Sequence, residues 1–372
     1  MSTTVSADVV IAGSGIIGLS LGLELLRRGA SVVVLERDVA MRGASWAAGG
    51  MLAARDTENP AKLSPLALRS AELYPEYLAA ITAASGLPIP IRTRCTLHPL
   101  PALPGVVAAS AAQVAELAPG LPPEGCALAL LEEDSLDPRD LCIALPRAFA
   151  ALGGRLLEHT ELLRVTDEGT HLTVETNQGE VRAAHVVDCR GASAGDCFGE
   201  SVPVFPVKGQ MVNVALAPER LGCVIRTQAF YAIPRGDGRV TVGATVEKNG
   251  FDRTVEPDKI RGILAIAGEA LPELVQARVL ESWAGLRPGT PDELPVLGAS
   301  NMRNGWYATG HYRNGILLAP ATARVLAQLI AGEPPDVTVK DFSPQRFAKS
   351  AETASKECRM VIFDHAGVAD RL

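Results

Sequence analysis

Aromatic residues are scarce in this chain, 4% of 372 positions, and basic side chains are outnumbered, with 35 Lys and Arg against 42 Asp and Glu. A formal net charge of −7 repels a nucleic-acid backbone and an anionic membrane face, so neither is expected as a partner. No long apolar run is unbroken. The most apolar stretch, Val9 to Leu26, is interrupted by four glycines and Glu24, and no Lys or Arg precedes it. A secretory leader needs that positive charge, so no targeting segment is read and the cytoplasm is the expected compartment. The seven cysteines (Cys95, Cys126, Cys142, Cys189, Cys197, Cys223, Cys358) are odd in number and form no C-x-x-C pair. That pattern suits reduced, mostly buried thiols better than a disulfide framework or a zinc site. Six scattered histidines, none in an H-x-x-x-H pair, carry no metal signature.

What is present is a globular composition, 47% hydrophobic and 21% charged, in a chain too long for one ordinary core. Two subdomains are therefore expected. The organising stretch is Asp8–Arg37, DVVIAGSGIIGLSLGLELLRRGASVVVLER. Val9–Ala12 has the length and composition of a buried parallel strand. Gly13, Gly15 and Gly18 follow in G-x-G-x-x-G spacing, then an amphipathic helix over Leu19–Arg28 stopping at Gly29, then a strand over Ser31–Leu35 ending on Glu36. Each part has a task in holding a dinucleotide. Gly13 permits a tight turn, Gly15 lets backbone approach a pyrophosphate, and Gly18 lets helix and strand pack closely. The helix N-terminus offers free N–H groups and a positive dipole end to phosphate. Glu36 accepts hydrogen bonds from a ribose hydroxyl and repels a 2′-phosphate, which disfavours NADP and leaves FAD or NAD. A glycine-rich turn alone is weak evidence; here strand, helix, second strand and acid all fall where a dinucleotide needs them.

Beyond Glu36, the small residues of Ser45–Met51 suit a loop lying flat against a planar ligand. Pro65–Ser85 has helical periodicity. A proline-rich stretch between about residues 86 and 125, with a short helix near Ala108–Leu117, reads as an excursion into a second domain. Pro138–Leu152 returns to helix. Strands at Arg155–Leu157, Leu163–Asp167, His171–Thr176 and Val181–Ala184 read as the edge of a small antiparallel sheet, and His185–Cys189 as a return to the parallel one. Strands at Gly209–Ala215, Gln228–Pro234 and Arg239–Val246, with a helix over Pro257–Leu271, belong to the second domain. Trp306–Thr309 is a strand, followed by a glycine-rich turn and a helix ending at Gly332. The expected class is α/β, a Rossmann-like nucleotide-binding domain (1–85, 138–200, 283–347) beside a discontinuous α+β substrate domain built on an antiparallel sheet (86–137, 201–282). The tail, 348–372, has no pattern that places it.

Four further stretches complete the pattern: ASWAAGGML (Ala44–Leu52), FPVKGQ (Phe205–Gln210), WAGLRPGTPDELPVLG (Trp283–Gly298) and ATGHYRNGILLAP (Ala308–Pro320). With the first, they resemble the D-amino-acid oxidase family of flavoproteins, and within it the glycine oxidases of thiamine (thiazole) biosynthesis, over about Asp8 to Phe347. The resemblance implies FAD, held by Gly13, Ser14, Gly15, Ile16 and Gly18 at its pyrophosphate and by Glu36 and Arg37 at its ribose. It implies that Ser45, Ala47, Ala48, Gly50 and Met51, with Gly310, His311, Arg313, Asn314, Gly315 and Ile316, cradle the ring. Related sarcosine oxidases carry a flavin-linking cysteine near Trp283–Asp292; none stands there, so the FAD is expected to be noncovalent. Arg287 matches the family's carboxylate-binding arginine, Tyr231 its tyrosine, and Arg313 another pocket arginine. A guanidinium grips a carboxylate bidentately, as a lysine cannot.

Two positions depart from the family pattern. Ala229 stands where a histidine is usual and Val246 where a methionine is, which implies a roomier pocket accepting N-alkyl glycines or larger D-amino acids. The implied reaction is oxidative deamination of a small amino acid by hydride transfer to flavin, with dioxygen giving hydrogen peroxide. No side-chain acid or base is assigned. The imine hydrolyses to the oxoacid or passes to thiazole synthesis, and the implied assembly is a homotetramer. Two alternatives stay open: an amino acid dehydrogenase using a quinone or another carrier, and a nucleotide-binding module without activity.

Overall fold

The computed structural model of the protein describes residues 5–99, 107–121 and 127–348. Its first strand, Val5–Ala12, lies between parallel neighbours Val32–Leu35 and Gly179–Asp188. Val9–Ala12 pairs on both sides and is buried on both faces, which is why that segment is apolar throughout. Its alternate residues enter different cores. Val9 and Ile11 join a large cluster with the helices Ile16–Arg27, Ser64–Ser85, Pro138–Ala151 and Gly315–Ile330. Val10 and Ala12 join a smaller one with Leu172, Val174, Phe198 and Tyr307 on the opposite side. Gly29, at φ +88, ends the first helix in the left-handed conformation, as glycine does best.

Among the described residues this sheet has eight strands. Five are mutually parallel, in the order Gly305–Thr309, Gly179–Asp188, Val5–Ala12, Val32–Leu35, Arg155–Leu157. Val296–Ala299 adds antiparallel to one edge, and Leu172–Thr176 with Leu162–Asp167 form a ribbon on the start of Gly179–Asp188. The late helix, Gly315–Ile330, contains Pro320, whose ring cannot donate to the carbonyl of Ile316. The Tyr74 hydroxyl donates to that carbonyl instead, at 2.6 Å, and Ser70 Oγ serves Leu317 O at 2.6 Å. Residues of Ser64–Ser85 thus repair the hydrogen bonding that proline breaks.

The second sheet has seven strands among the described residues, in the order Val279–Gly289, Phe205–Ala215, Arg239–Gly243, Tyr231–Pro234, Val224–Arg226, Thr96–Pro99, Leu128–Leu131. On one face Val212, Val214, Val240 and Val242 pack beneath the helix Pro257–Ala270 through Ile260, Ile263, Leu264 and Ala267, the i, i+3, i+4, i+7 stripe of an amphipathic helix. The other face, with Gly209, Met211, Tyr231, Gly285 and Arg287, looks into a cavity shared with the glycine turn of the first sheet.

Several sequence expectations are corrected. Arg155–Leu157 pairs parallel to Val32–Leu35 rather than antiparallel. Val181–Ala184 and His185–Cys189 are one strand, Gly179–Asp188, because Val5–Ala12 pairs with it along nearly its whole length. The expected domain boundary at 282/283 falls inside Val279–Gly289, which pairs with Phe205–Ala215 and so belongs to the second sheet up to Gly289. The strand expected from Gln228 starts at Tyr231, since Thr227 and Phe230 close a turn by Thr227 N donating to Phe230 O at 2.8 Å. The strand expected to reach Val246 ends at Gly243. The tail from residue 349, with Cys126 and Cys358, lies outside the described residues.

Candidate active site

The cavity, ≈ 870 Å³, runs from the glycine turn to the second sheet. At the turn, Gly13 has φ +101, and a Cβ there would lie 2.7 Å from the Cys189 carbonyl carbon and 2.9 Å from Arg190 Cα. A Cβ on Gly18 would collide with the carbonyl oxygen of Gly13. Only glycine lets the helix sit this close to the turn. Gly15 caps the helix with no side chain, leaving its first turn facing the cavity, and Ile16 N donates to Ser45 Oγ at 2.9 Å. Glu36 lines the same wall. Its Oε2 accepts from Ser14 N at 3.1 Å and Ser14 Oγ at 2.7 Å, and its Oε1 from Asp38 N at 3.0 Å, so the carboxylate is already oriented. Arg37 stands exposed at the rim, bonded to Ser193 and paired with Asp38.

The middle of the cavity is walled by Ser45, Ala47, Ala48, Gly50 and Met51. Gly50, at φ +85, fits under Pro138 and the carbonyl of Leu136, where a Cβ would collide. The guanidinium groups of Arg42 and Arg139 both lie over the Trp46 ring, and Trp283 Nε1 donates to Ala47 O at 3.2 Å. Gly285 has no Cβ because Ala47 occupies its place. The flat loop is thereby seated directly on the second sheet. Opposite stands the start of Gly315–Ile330, whose N-cap, Asn314, makes no side-chain cap; the Asn314 amide donates to Asn59 Oδ1 at 2.8 Å instead. His311, on the same wall, is buried, with Nε2 beside Thr322 Oγ1 at 3.1 Å. Burial pushes its pKa down to about 3, so the imidazole is neutral at physiological pH.

At the far end lies Arg287. Its Nη1 donates to Thr245 O at 3.1 Å and Lys208 O at 3.4 Å. The guanidinium lies across Gly209, where a Cβ would be 2.5 Å from Cζ. Among the described residues no carboxylate pairs with it, so its charge faces the cavity uncompensated. Tyr231 stands beside it, its hydroxyl donating to Met211 Sδ at 3.5 Å. Burial raises the Tyr231 pKa, with Arg287 pulling the other way. The Tyr231 ring lies over Gly243, where a Cβ would be 2.8 Å from its hydroxyl. Arg313 also lines the cavity, but Glu58 pairs with it at 2.6 Å and Asp56 at 3.5 Å, so its charge is spent on the loop before Pro60. Ala229 and Val246 line the wall on this side, and both are exposed at its mouth.

Of the residues singled out in the sequence, Ser14, Gly18 and Gly310 do not line the cavity. Ser14 orients Glu36. Gly18 closes the packing, and Gly310, at φ +73, turns the chain against Thr290. The others line one cavity. Sequence reasoning missed Gly209, Gly243 and Gly285, the glycines that clear space for Arg287, Tyr231 and Ala47. It also missed Tyr312, which lines the cavity at φ +46. A glycine inside an otherwise strand-like segment was the available signal.

Residues 8–329 match the model of the family described as FAD dependent oxidoreductase, DAO. The chain is 34% identical to a glycine oxidase of Pseudomonas aeruginosa over 91% of its own length and 99% of that protein's. It is 35% identical to the bifunctional protein ThiO/ThiG of Trichormus variabilis, covering 93% of this chain and 56% of that one. The crystal structure of glycine oxidase from Geobacillus kaustophilus superposes with a TM-score of 0.86 at 30% identity, covering 92% of this chain and 99% of that one.

Proposed function

The chain belongs to the FAD-dependent oxidoreductases of the DAO family, and from there we propose that it oxidises glycine and related small amines, with dioxygen as acceptor. The residues fit FAD. Two helix N-termini whose own N-cap residues, Gly15 and Asn314, make no side-chain cap open on one cavity whose middle wall is a loop of small residues. Gly13, Gly15 and Ile16 would hold the pyrophosphate and Glu36 the ribose, while Ala47, Ala48, Gly50 and Met51 with His311, Gly315 and Ile316 would flank the ring. Bound there, FAD would supply a two-electron acceptor for the substrate's hydride, with dioxygen as the final acceptor and hydrogen peroxide as its product.

The chain's own part is binding and orientation. Arg287 grips the substrate carboxylate through two parallel N–H donors, and the Tyr231 hydroxyl donates a third hydrogen bond. Anchored there, the substrate turns its α-carbon and amine into the cavity. Catalysis rests on that placement, and no side chain is assigned as acid or base. The observation that carries this reading is the Arg287 guanidinium, fixed by two backbone carbonyls and unpaired with any carboxylate among the described residues. An arginine in such a wall is poised for an anionic ligand, because its own fold leaves its charge unanswered.

The reading extends to a place in thiamine (thiazole) biosynthesis, supported by similarity to the ThiO/ThiG protein, and by resemblance to a homotetramer in the cytoplasm. Among the described residues no helix is long and apolar enough to cross a membrane. Sedimentation equilibrium tests the tetramer. The activity is tested by the visible spectrum of the anaerobic holoprotein before and after glycine. Bleaching is expected; a spectrum unmoved by glycine, sarcosine, D-alanine and D-proline would overturn the reading.

A further inference from the structure

The stretch FPVKGQ, Phe205–Gln210, holds two polar side chains that point away from the cavity. Lys208 and Gln210 are both fully buried, at 0% exposure. A buried lysine is costly unless its charge is met. They stand on the face of Phe205–Ala215 opposite Gly209, since side chains alternate along a strand. What covers them is the segment 244–256, which leads from Arg239–Gly243 into the helix Pro257–Ala270. Lys208 Nζ reaches Asp252 Oδ2 at 2.7 Å and Glu256 Oε1 at 3.4 Å. Gln210 Nε2 donates to Glu247 Oε1 at 3.0 Å and Glu256 Oε1 at 3.1 Å, while its Oε1 accepts from Glu256 N at 2.7 Å. Backbone bonds join Lys208 and Glu247 in both directions, at 2.8 and 2.9 Å, and Gln210 N donates to Thr245 Oγ1 at 2.9 Å.

This lock bears directly on Arg287. The two carbonyls that hold its guanidinium belong to Lys208 and to Thr245, one on each side of the lock. The same segment carries Val246, Phe251 and Arg253 along the cavity wall. We propose that Lys208 and Gln210 are positioning residues for the substrate-carboxylate anchor: they clamp segment 244–256 to the sheet so that the Thr245 carbonyl pins the Arg287 guanidinium over Gly209. The triplet Lys–Gly–Gln then divides its work by face. The outer two residues hold the clamp, and the glycine between them gives the guanidinium room.

The inference rests on Arg287 as the carboxylate ligand, so its test reads carboxylate binding as well as turnover. The FAD-loaded wild type and Lys208→Met, which keeps a side chain of similar length without the ammonium, are titrated with acetate. Binding is followed by the change in flavin absorbance, with FAD content and Tm measured alongside. Acetate Kd and glycine KM are expected to rise together by about tenfold or more, with kcat at saturating glycine and FAD content retained, as a displaced anchor requires. Asp252→Asn should move Kd in the same direction, and Asp252→Glu should restore it. Wild-type acetate Kd in a folded, FAD-loaded Lys208→Met overturns the proposal. Should Lys208→Met not fold, wild-type Kd in Asp252→Asn combined with Glu256→Gln overturns it equally. A wild type that binds acetate but oxidises no small amine would defeat the proposed activity and leave the clamp standing.

Discussion

Gly209→Ala isolates the placement of Arg287 from its presence. The added Cβ would fall 2.5 Å from Arg287 Cζ, where ordinary contact begins at 3.4 Å. The obstacle is the tip of a flexible side chain, whose terminal nitrogens stand closer still than Cζ, so the strand can stay and the guanidinium must give way by about 1 Å. It then leaves the carbonyls of Thr245 and Lys208, which lie 3.1 and 3.4 Å from Nη1. A displacement near 1 Å in a substrate-positioning group costs on the order of a hundredfold in kcat/KM, about 2.7 kcal/mol. That is also about the strength of one charge-assisted hydrogen bond, roughly 1.5–3 kcal/mol, so losing one arm of the bidentate pair accounts for it. The assay is steady-state oxidation of glycine, with FAD content and Tm as controls for folding. KM should rise strongly while FAD stays bound. The same substitution in an Arg287→Ala background should cost nothing further, because its only route to the substrate is gone. A KM within about twofold of wild type, or a penalty that persists without Arg287, would refute the reasoning.

Three other outcomes are expected. Gly13→Ala should yield apoprotein, because the new Cβ meets main-chain atoms at 2.7 and 2.9 Å that cannot move aside, at φ +101; a normal flavin-to-protein absorbance ratio after purification would count against this role for the turn. His311 is neutral when folded, with its pKa held down to about 3 by burial against an ordinary 6.5, so the unfolded chain takes up the proton first as pH falls. Its contribution to stability is complete above the unfolded value and shrinks through the acid range, by about 2 kcal/mol at about pH 5; His311→Gln should flatten Tm between about pH 7 and 5, and parallel curves for the two proteins would sink the assignment. Ala229→His with Val246→Met should narrow the mouth and lower kcat/KM for D-proline relative to glycine by roughly 10–100-fold; an unchanged ratio would show that these positions do not set substrate size.

The two ends of the cavity were legible to different degrees, for a physical reason. From Val9 to Leu35 every signal is local: a run apolar on both faces, glycines at fixed offsets, a helix stop, an acid after the second strand. The elements follow one another along the chain, and the structure agrees to within a few residues. Arg287 and Tyr231 could be named through resemblance, but nothing in their own neighbourhood tells a substrate ligand from a surface arginine or a core tyrosine. Their surroundings come from the pairing of Val207 opposite Arg287 and Tyr231 opposite Gly243, registers set by strands far apart in the chain. The domain edge went astray for the same cause: WAGLRPG looks like a chain turning home, yet it is the edge strand of the second sheet until Gly289. FPVKGQ shows what could have been read without the register. A strand alternates faces, so Lys and Gln separated by one glycine put two polar groups on one side and an empty place on the other. A buried lysine demands acids over it, and a vacated Cβ in a buried strand invites a side chain to lie across it. Both consequences follow from three residues. What they could not reveal is that the covering segment and the crossing arginine meet at the same two carbonyls, and that convergence makes the triplet part of the site.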